Sequence, residues 1–228
     1  MSADTKRPAS RSAPSLAAVV GLVVALFGSP LIGLLDVSER LSTTTAGRLL
    51  VNSAVMWILV GVVLAVVLYW ERRPVGSIGL EPPSRRDATL GAAAGVAGVV
   101  LGVLVTGAAV VAFRLEQPET LSTLATLSLP VKLTIVATAV VTEEVLWRGY
   151  LIERLTELTG SVRIAAAASG LVFLAVHYPS WGLVGAIPQA VFTSAIVGVY
   201  VWTRNLVACV LTHAVINVAM ILVIPAFV

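Results

Sequence analysis

The chain has 228 residues, 58% of them hydrophobic and only 12% charged, with a formal net charge of +3. A soluble globular domain carries about 25% charged and about 45–50% apolar residues, so this composition excludes an ordinary soluble fold and a disordered chain. One cysteine excludes an internal disulfide framework, and the small, scattered positive charge gives no footprint for nucleic acid.

In chain order, residues 1–14 are polar, contain Pro8 and Pro14, and are expected to form a disordered cytoplasmic tail. A bilayer core of about 30 Å needs about 20 apolar helical residues. Seven segments meet that demand: Ser15–Leu35, Leu49–Trp70, Ala88–Phe113, Val131–Ile152, Val162–Tyr178, Trp181–Trp202 and Asn205–Val228. They must be helical, because lipid offers backbone N–H and C=O groups no partner. The expected fold is an all-α polytopic transmembrane bundle of about seven spans; an eighth crossing would reverse only the C-terminal end. Residues 15–113 supply three spans without motifs, and 114–228 hold the polar residues that carry chemistry. The third span presents Gly91, Gly95, Gly98 and Gly102, small-xxx-small pairs that let helices approach closely. The loop Glu71–Asp87, with three prolines, reads as irregular surface chain. Pro188 is expected to kink the sixth span.

With the N-terminus inside, inner segments hold Lys6, Arg7, Arg11, Arg72, Arg73, Arg85, Arg86, Arg154, Arg163 and Arg204. Outer segments hold only Arg40, Arg48, Arg114 and Lys132. That asymmetry places the N-terminus in the cytoplasm.

The informative charges lie within the spans. The fourth carries Glu143, Glu144 and Arg148; His177 comes late in the fifth, and His213 lies in the seventh, so both histidines of the chain are here. An ionisable group in hydrocarbon is costly, so it usually faces a cavity, pairs and has a function. Glu144 and Arg148 are four apart, share a helical face and can pair. Glu143 is turned about 100° away and lacks that partner, which suits a general base. It is eleven residues from Lys132 and eleven from Arg154, roughly 16 Å each way and near mid-bilayer. Asn217 follows His213 by one turn. A carboxylate base, an imidazole and an amide donor are the parts of water-activated acyl hydrolysis. Glu143, His177 and His213 are equally a ligand set for a divalent metal such as zinc with an open position. No HExxH occurs, which removes the zincin route.

These residues resemble the three signatures of the CPBP family of intramembrane proteases, which includes the type II CAAX prenyl endopeptidases and bacterial Abi proteins. EExxxRG stands as Glu143-Glu144-Val-Leu-Trp-Arg148-Gly149, FxxxH as Phe173-Leu-Ala-Val-His177, and HxxxN as His213-Ala-Val-Ile-Asn217. The resemblance spans roughly residues 130–220. It implies an endopeptidase acting on peptides or proteins held at the membrane, prenylated CaaX-like ones among them. By motif match, Glu143 and His177 would activate water, and His213 and Asn217 would form the oxyanion site. Glu144, Arg148 and Phe173 would shape the cavity, with metal dependence open. The seven readable spans, against eight in the eukaryotic enzymes, favour a compact member in a prokaryotic plasma membrane. Two other classes compete. A proton-coupled transporter also buries Glu and His, but no two-fold repeat of interrupted helices is visible. A non-catalytic immunity-type scaffold would keep the cavity without turnover.

Overall fold

The computed structural model describes residues 15–224 apart from Gln117. The expected disordered tail, 1–14, and residues 225–228 lie outside the described residues.

Every regular element among the described residues is helical. The chain runs α1 (Leu16–Leu34), a short α2 (Val37–Leu41) and α3 (Thr45–Ala65), which continues as a π turn over Val66–Trp70. α4 (Arg85–Phe113), a short α5 (Glu119–Thr126) and α6 (Leu129–Glu143) follow. α6 runs on through a π turn, Glu144–Leu151, into α7 (Ile152–Thr159); then come α8 (Val162–Thr203) and α9 (Leu206–Asn217). The long helices start where a side chain meets a free backbone N–H. Ser15, Thr44, Ser84, Ser161 and Asn205 accept from Ala18, Gly47, Asp87, Ile164 and Ala208 respectively. Five helical stretches are long and apolar enough to cross a membrane. Large apolar side chains such as Phe27, Leu104, Val111 and Leu171 point outward from them. The chain is an integral membrane protein.

α8 holds two of the expected spans. Its 42 residues would reach about 63 Å as one helix, twice the hydrocarbon thickness. The break is at Gly182, whose φ of 59° and ψ of −166° fall in a region essentially closed to side chains. The chain doubles back there, and a methyl group added at Gly170 on the first arm would touch Thr193 and Val197 on the second, at 3.4 and 3.7 Å. Gly182 thus falls at the expected boundary between the fifth and sixth spans, and Pro188 lies inside the second arm.

The α4 glycines pack inward, and all four are buried. A Cβ at Gly91 would lie 2.4 Å from the Ala208 carbonyl oxygen, and one at Gly95 2.9 Å from that of Thr212. Thr212 Oγ1 donates to the Gly91 carbonyl at 2.9 Å. Removing the side chains from α4 therefore seats α9, the helix carrying His213, directly on its backbone.

The loop after α3 is surface chain at both ends, with Arg72, Arg73, Glu81 and Pro82 exposed, but its middle turns inward. Its 3₁₀ turn, Val75–Ile78, pushes Ile78 to zero exposure. Leu206 N donates to the Gly79 carbonyl at 2.7 Å, and Asn205 Nδ2 donates to that of Glu81 at 3.0 Å. Beside it lies a polar network. Arg154 is 1% exposed and meets Glu71 through Nε–Oε1 at 3.0 Å and Nη2–Oε2 at 2.5 Å. Tyr150 donates to the same Glu71 at 2.9 Å. Burial opposes ionisation of Glu71, but the hydrogen bonds from Arg154 and Tyr150 outweigh it and hold its carboxyl below the usual range.

Candidate active site

The π turn brings the first motif to the centre of the bundle. All eight residues from Glu144 to Leu151 are buried. A π turn is rare and frequently marks a functional site. Here it changes which residues face which helix, so the α-helical wheel does not describe this segment. Gly149 is required by close approach: a Cβ there would lie 3.0 Å from the Ile78 carbonyl oxygen. Ser169 Oγ donates to the Trp147 carbonyl at 2.7 Å and fastens α8 to the turn.

Glu144 and Arg148 form the expected ion pair, 3.3 Å apart with both side chains fully buried. Arg148 also lies over the Phe173 ring, 4.2 Å from its centroid. The Phe173 ring also meets the His177 imidazole, with centroids 4.1 Å apart, and Trp147 approaches the ring edge-on at 5.8 Å. The spacing of Phe173 and His177 thus has a physical content: guanidinium, phenyl and imidazole are stacked, which orients the imidazole. The guanidinium nitrogens make no hydrogen bond among the described residues. The carboxylate and the aromatic face are what hold Arg148.

The two histidines are oriented from behind. His177 Nδ1 donates to the Phe173 carbonyl at 2.8 Å; a carbonyl only accepts, so the proton is on Nδ1 and Nε2 is directed forward. His213 Nδ1 donates to Glu144 Oε1 at 2.8 Å. Both Nε2 atoms then face Glu143: His177 at 3.9 Å from Oε1 and His213 at 4.0 Å from Oε2. Glu143 and His177 keep 16% and 24% of their side-chain surface, and His213 keeps 8%. Asn217 closes α9 one turn beyond His213 and is half-buried.

Residues 125–219 match the family model described as type II CAAX prenyl endopeptidase Rce1-like. It is the family whose signatures the three motifs resemble, and the matched Rce1-like segment contains Glu143, Glu144, Arg148, Phe173, His177, His213 and Asn217. Neither the comparison with curated proteins nor that with solved structures gave a match.

Two features of the Rce1-like segment escape motif spacing. Glu144 is shared between Arg148 and His213, so it does more than staple its own helix. Arg154, grouped above with the loop charges, is buried against Glu71. The sequence signal for the first was the adjacency of the two glutamates; for the second there was none within one span. The expected zinc option does not fit: among the described residues, no group of three or more His, Cys, Asp or Glu side chains is placed to hold a metal ion.

Proposed function

We propose that this protein is an intramembrane endopeptidase that hydrolyses peptide bonds of membrane-held substrates, prenylated CaaX-like peptides among them. Glu143 and His177 would activate a water molecule. The observation that carries the reading is the pair of gaps in front of Glu143. At 3.9 and 4.0 Å the imidazoles are too far for direct hydrogen bonds and suitably placed for a shared water. A water about 2.8 Å from each atom of such a pair subtends roughly a right angle, an ordinary geometry for its two bonds.

His213 stands between the two glutamates, its Nδ1 on Glu144 and its Nε2 toward Glu143, and Arg148 pairs with Glu144 behind it. Glu143 takes a proton from the water as its oxygen attacks the scissile carbonyl. His213 Nε2–H and the Asn217 amide stabilise the resulting oxyanion. The C–N bond then breaks, and the proton on Glu143 passes through His177 to the leaving amine. The water has then supplied the new carboxyl oxygen and the amine proton, and the enzyme is restored. We place the N-terminus in the cytoplasm, on the distribution of Lys and Arg between inner and outer segments; the compact set of spans supports a prokaryotic host.

The test is cleavage of a reporter peptide in proteoliposomes by wild type and by Glu143→Gln, with and without a metal chelator. Loss of turnover in the variant, with chelator-insensitive wild-type cleavage, is the expected result. A Glu143→Gln protein that cuts at the wild-type rate rejects the base.

A further inference from the structure

α9 meets the π turn at two points. His213 Nδ1 donates to Glu144 Oε1 at 2.8 Å, and the Leu206 side chain lies against Gly149, 3.2 Å from where a Cβ would stand. Leu206 and His213 are seven residues apart, so they share one helical face, separated by about 10 Å along it. Glu144 and Gly149 are five apart. In an α-helix they would diverge, but a π turn bonds residues five apart and stacks them. α4 touches the opposite side of α9, through Ala208 and Thr212, and leaves the face that carries His213 to the π turn. The inserted turn of the 71–84 loop holds the Leu206 end. Three consecutive carbonyls of it are each taken by a different helix. Ser77 accepts from Arg154 Nη1 at 3.4 Å, Ile78 from the Tyr200 hydroxyl at 3.5 Å, and Gly79 from Leu206 N at 2.7 Å. Asn205 Nδ2 adds a bond to the Glu81 carbonyl at 3.0 Å. Ile78 has no exposure, and its carbonyl oxygen would lie 3.0 Å from a Cβ on Gly149. The turn is wedged where α7, α8, α9 and the π turn meet.

We infer that Ile78 and Gly79 are positioning residues for His213: by pinning the first turn of α9 beside Gly149, the inserted turn sets where the imidazole stands between Glu144 and Glu143. The effect on rate rests on the hydrolase reading above; the effect on geometry rests on the contacts alone. Leu206 N is among the first amides of α9, which have no partner inside their own helix, so the helix cannot replace the Gly79 carbonyl from within. Gly79 offers that carbonyl from a φ of 74°, and a Cβ there would lie 2.9 Å from both the Arg204 carbonyl oxygen and the Tyr200 hydroxyl. Without the wedge, α9 is free to slide along the π turn. A helix is stiff along its axis, so a shift at Leu206 reaches His213 undiminished. There it breaks the Nδ1 bond to Glu144 or changes the 4.0 Å gap between Nε2 and Glu143.

Magnetic resonance of the imidazoles tests this without turnover. The chain has two histidines, and each donates from Nδ1 to a fixed acceptor. Isotopic labelling of the histidine ring nitrogens, in the full chain in nanodiscs, therefore gives two Nδ1–H signals, assigned with His177→Gln and His213→Gln. In Ile78→Ala the His213 signal should shift or disappear while the His177 signal stays. In the same variant kcat should fall about 10²-fold, as for a reacting group misplaced by about 1 Å, with KM little changed. Ile78→Val should restore both signal and rate. Leu59→Ala, a core truncation where α3 meets Gly28 of α1, should leave both signals in place, which separates positioning from a general loss of packing. If Ile78→Ala does not fold, Leu206→Pro is read in its place. Proline is favoured at the first helical position, and Asn205 already has the extended backbone that precedes a proline. That variant loses the donor to Gly79 and the leucine against Gly149. An unchanged His213 signal in the variant that folds, or loss of both signals together, overturns the inference. The expected signals beside a wild-type chain that cleaves no membrane peptide reject the hydrolase and leave the positioning in place.

Discussion

Around Glu71, donors and acceptors meet at 2.5 to 3.0 Å through Arg154 and Tyr150. Around Glu143 the nearest imidazole nitrogens stop at 3.9 and 4.0 Å. Both clusters are built around a carboxylate within one bundle. The first is saturated, and Arg154 within it is almost wholly covered; the second keeps an accessible gap. A saturated cluster fixes the position of a helix. A gap held open by side chains braced from behind, as Phe173 and Glu144 brace the histidines, is arranged to receive a molecule.

Four changes break or sharpen that contrast. Glu143→Gln should lower kcat by about 10²–10⁴-fold, as expected for a lost general base, with an unchanged melting temperature in detergent. Arg154→Met should do the reverse. Leaving Glu71 buried and unpaired should cost about 3–5 kcal/mol of stability, read as a lower melting temperature, while the folded fraction cleaves normally. The same pair sets an acid limit. The Glu71 carboxyl titrates below its ordinary value in the folded chain. Its contribution is therefore complete above the unfolded value of 4.5 and disappears as pH falls through the lowered folded value. Melting curves between neutral pH and pH values below that range should show this loss in wild type and a flatter dependence in Arg154→Met. Glu144→Gln should reduce kcat by about 10²-fold by weakening one oxyanion donor, with little change in KM and partial recovery in Glu144→Asp. Ser169→Ala should cost about 1 kcal/mol, the worth of one hydrogen bond, and leave the rate constant nearly unchanged.

Hydropathy located the spans because each needs only a run of apolar residues, and that signal survives averaging over a window. The candidate site residues were legible for the opposite reason: Glu143, Glu144, Arg148, His177 and His213 are rare exceptions within such runs. Averaging hides short insertions, so the buried 3₁₀ turn at Val75–Ile78 read as loop, its prolines outweighing one isoleucine. The reversal in α8 falls where the fifth and sixth spans were expected to part, and it is made at Gly182 because it needs a backbone conformation that proline cannot adopt. The link from His213 to Glu144 was out of reach of spacing arguments, since it joins two helices and depends on a π turn that no single residue announces.

The balance of charge around Arg148 also bears on biogenesis. Glu143, Glu144 and Arg148 leave the ribosome before His213, which meets both glutamates from a later helix. Until α9 arrives, the two glutamates share one buried cation, Arg148, and a carboxylate without a partner at the centre of a helix in lipid costs about 3 kcal/mol on translocon scales. A truncation before Asn205 should therefore leave α6 poorly inserted or degraded, read as a smaller membrane-integrated fraction.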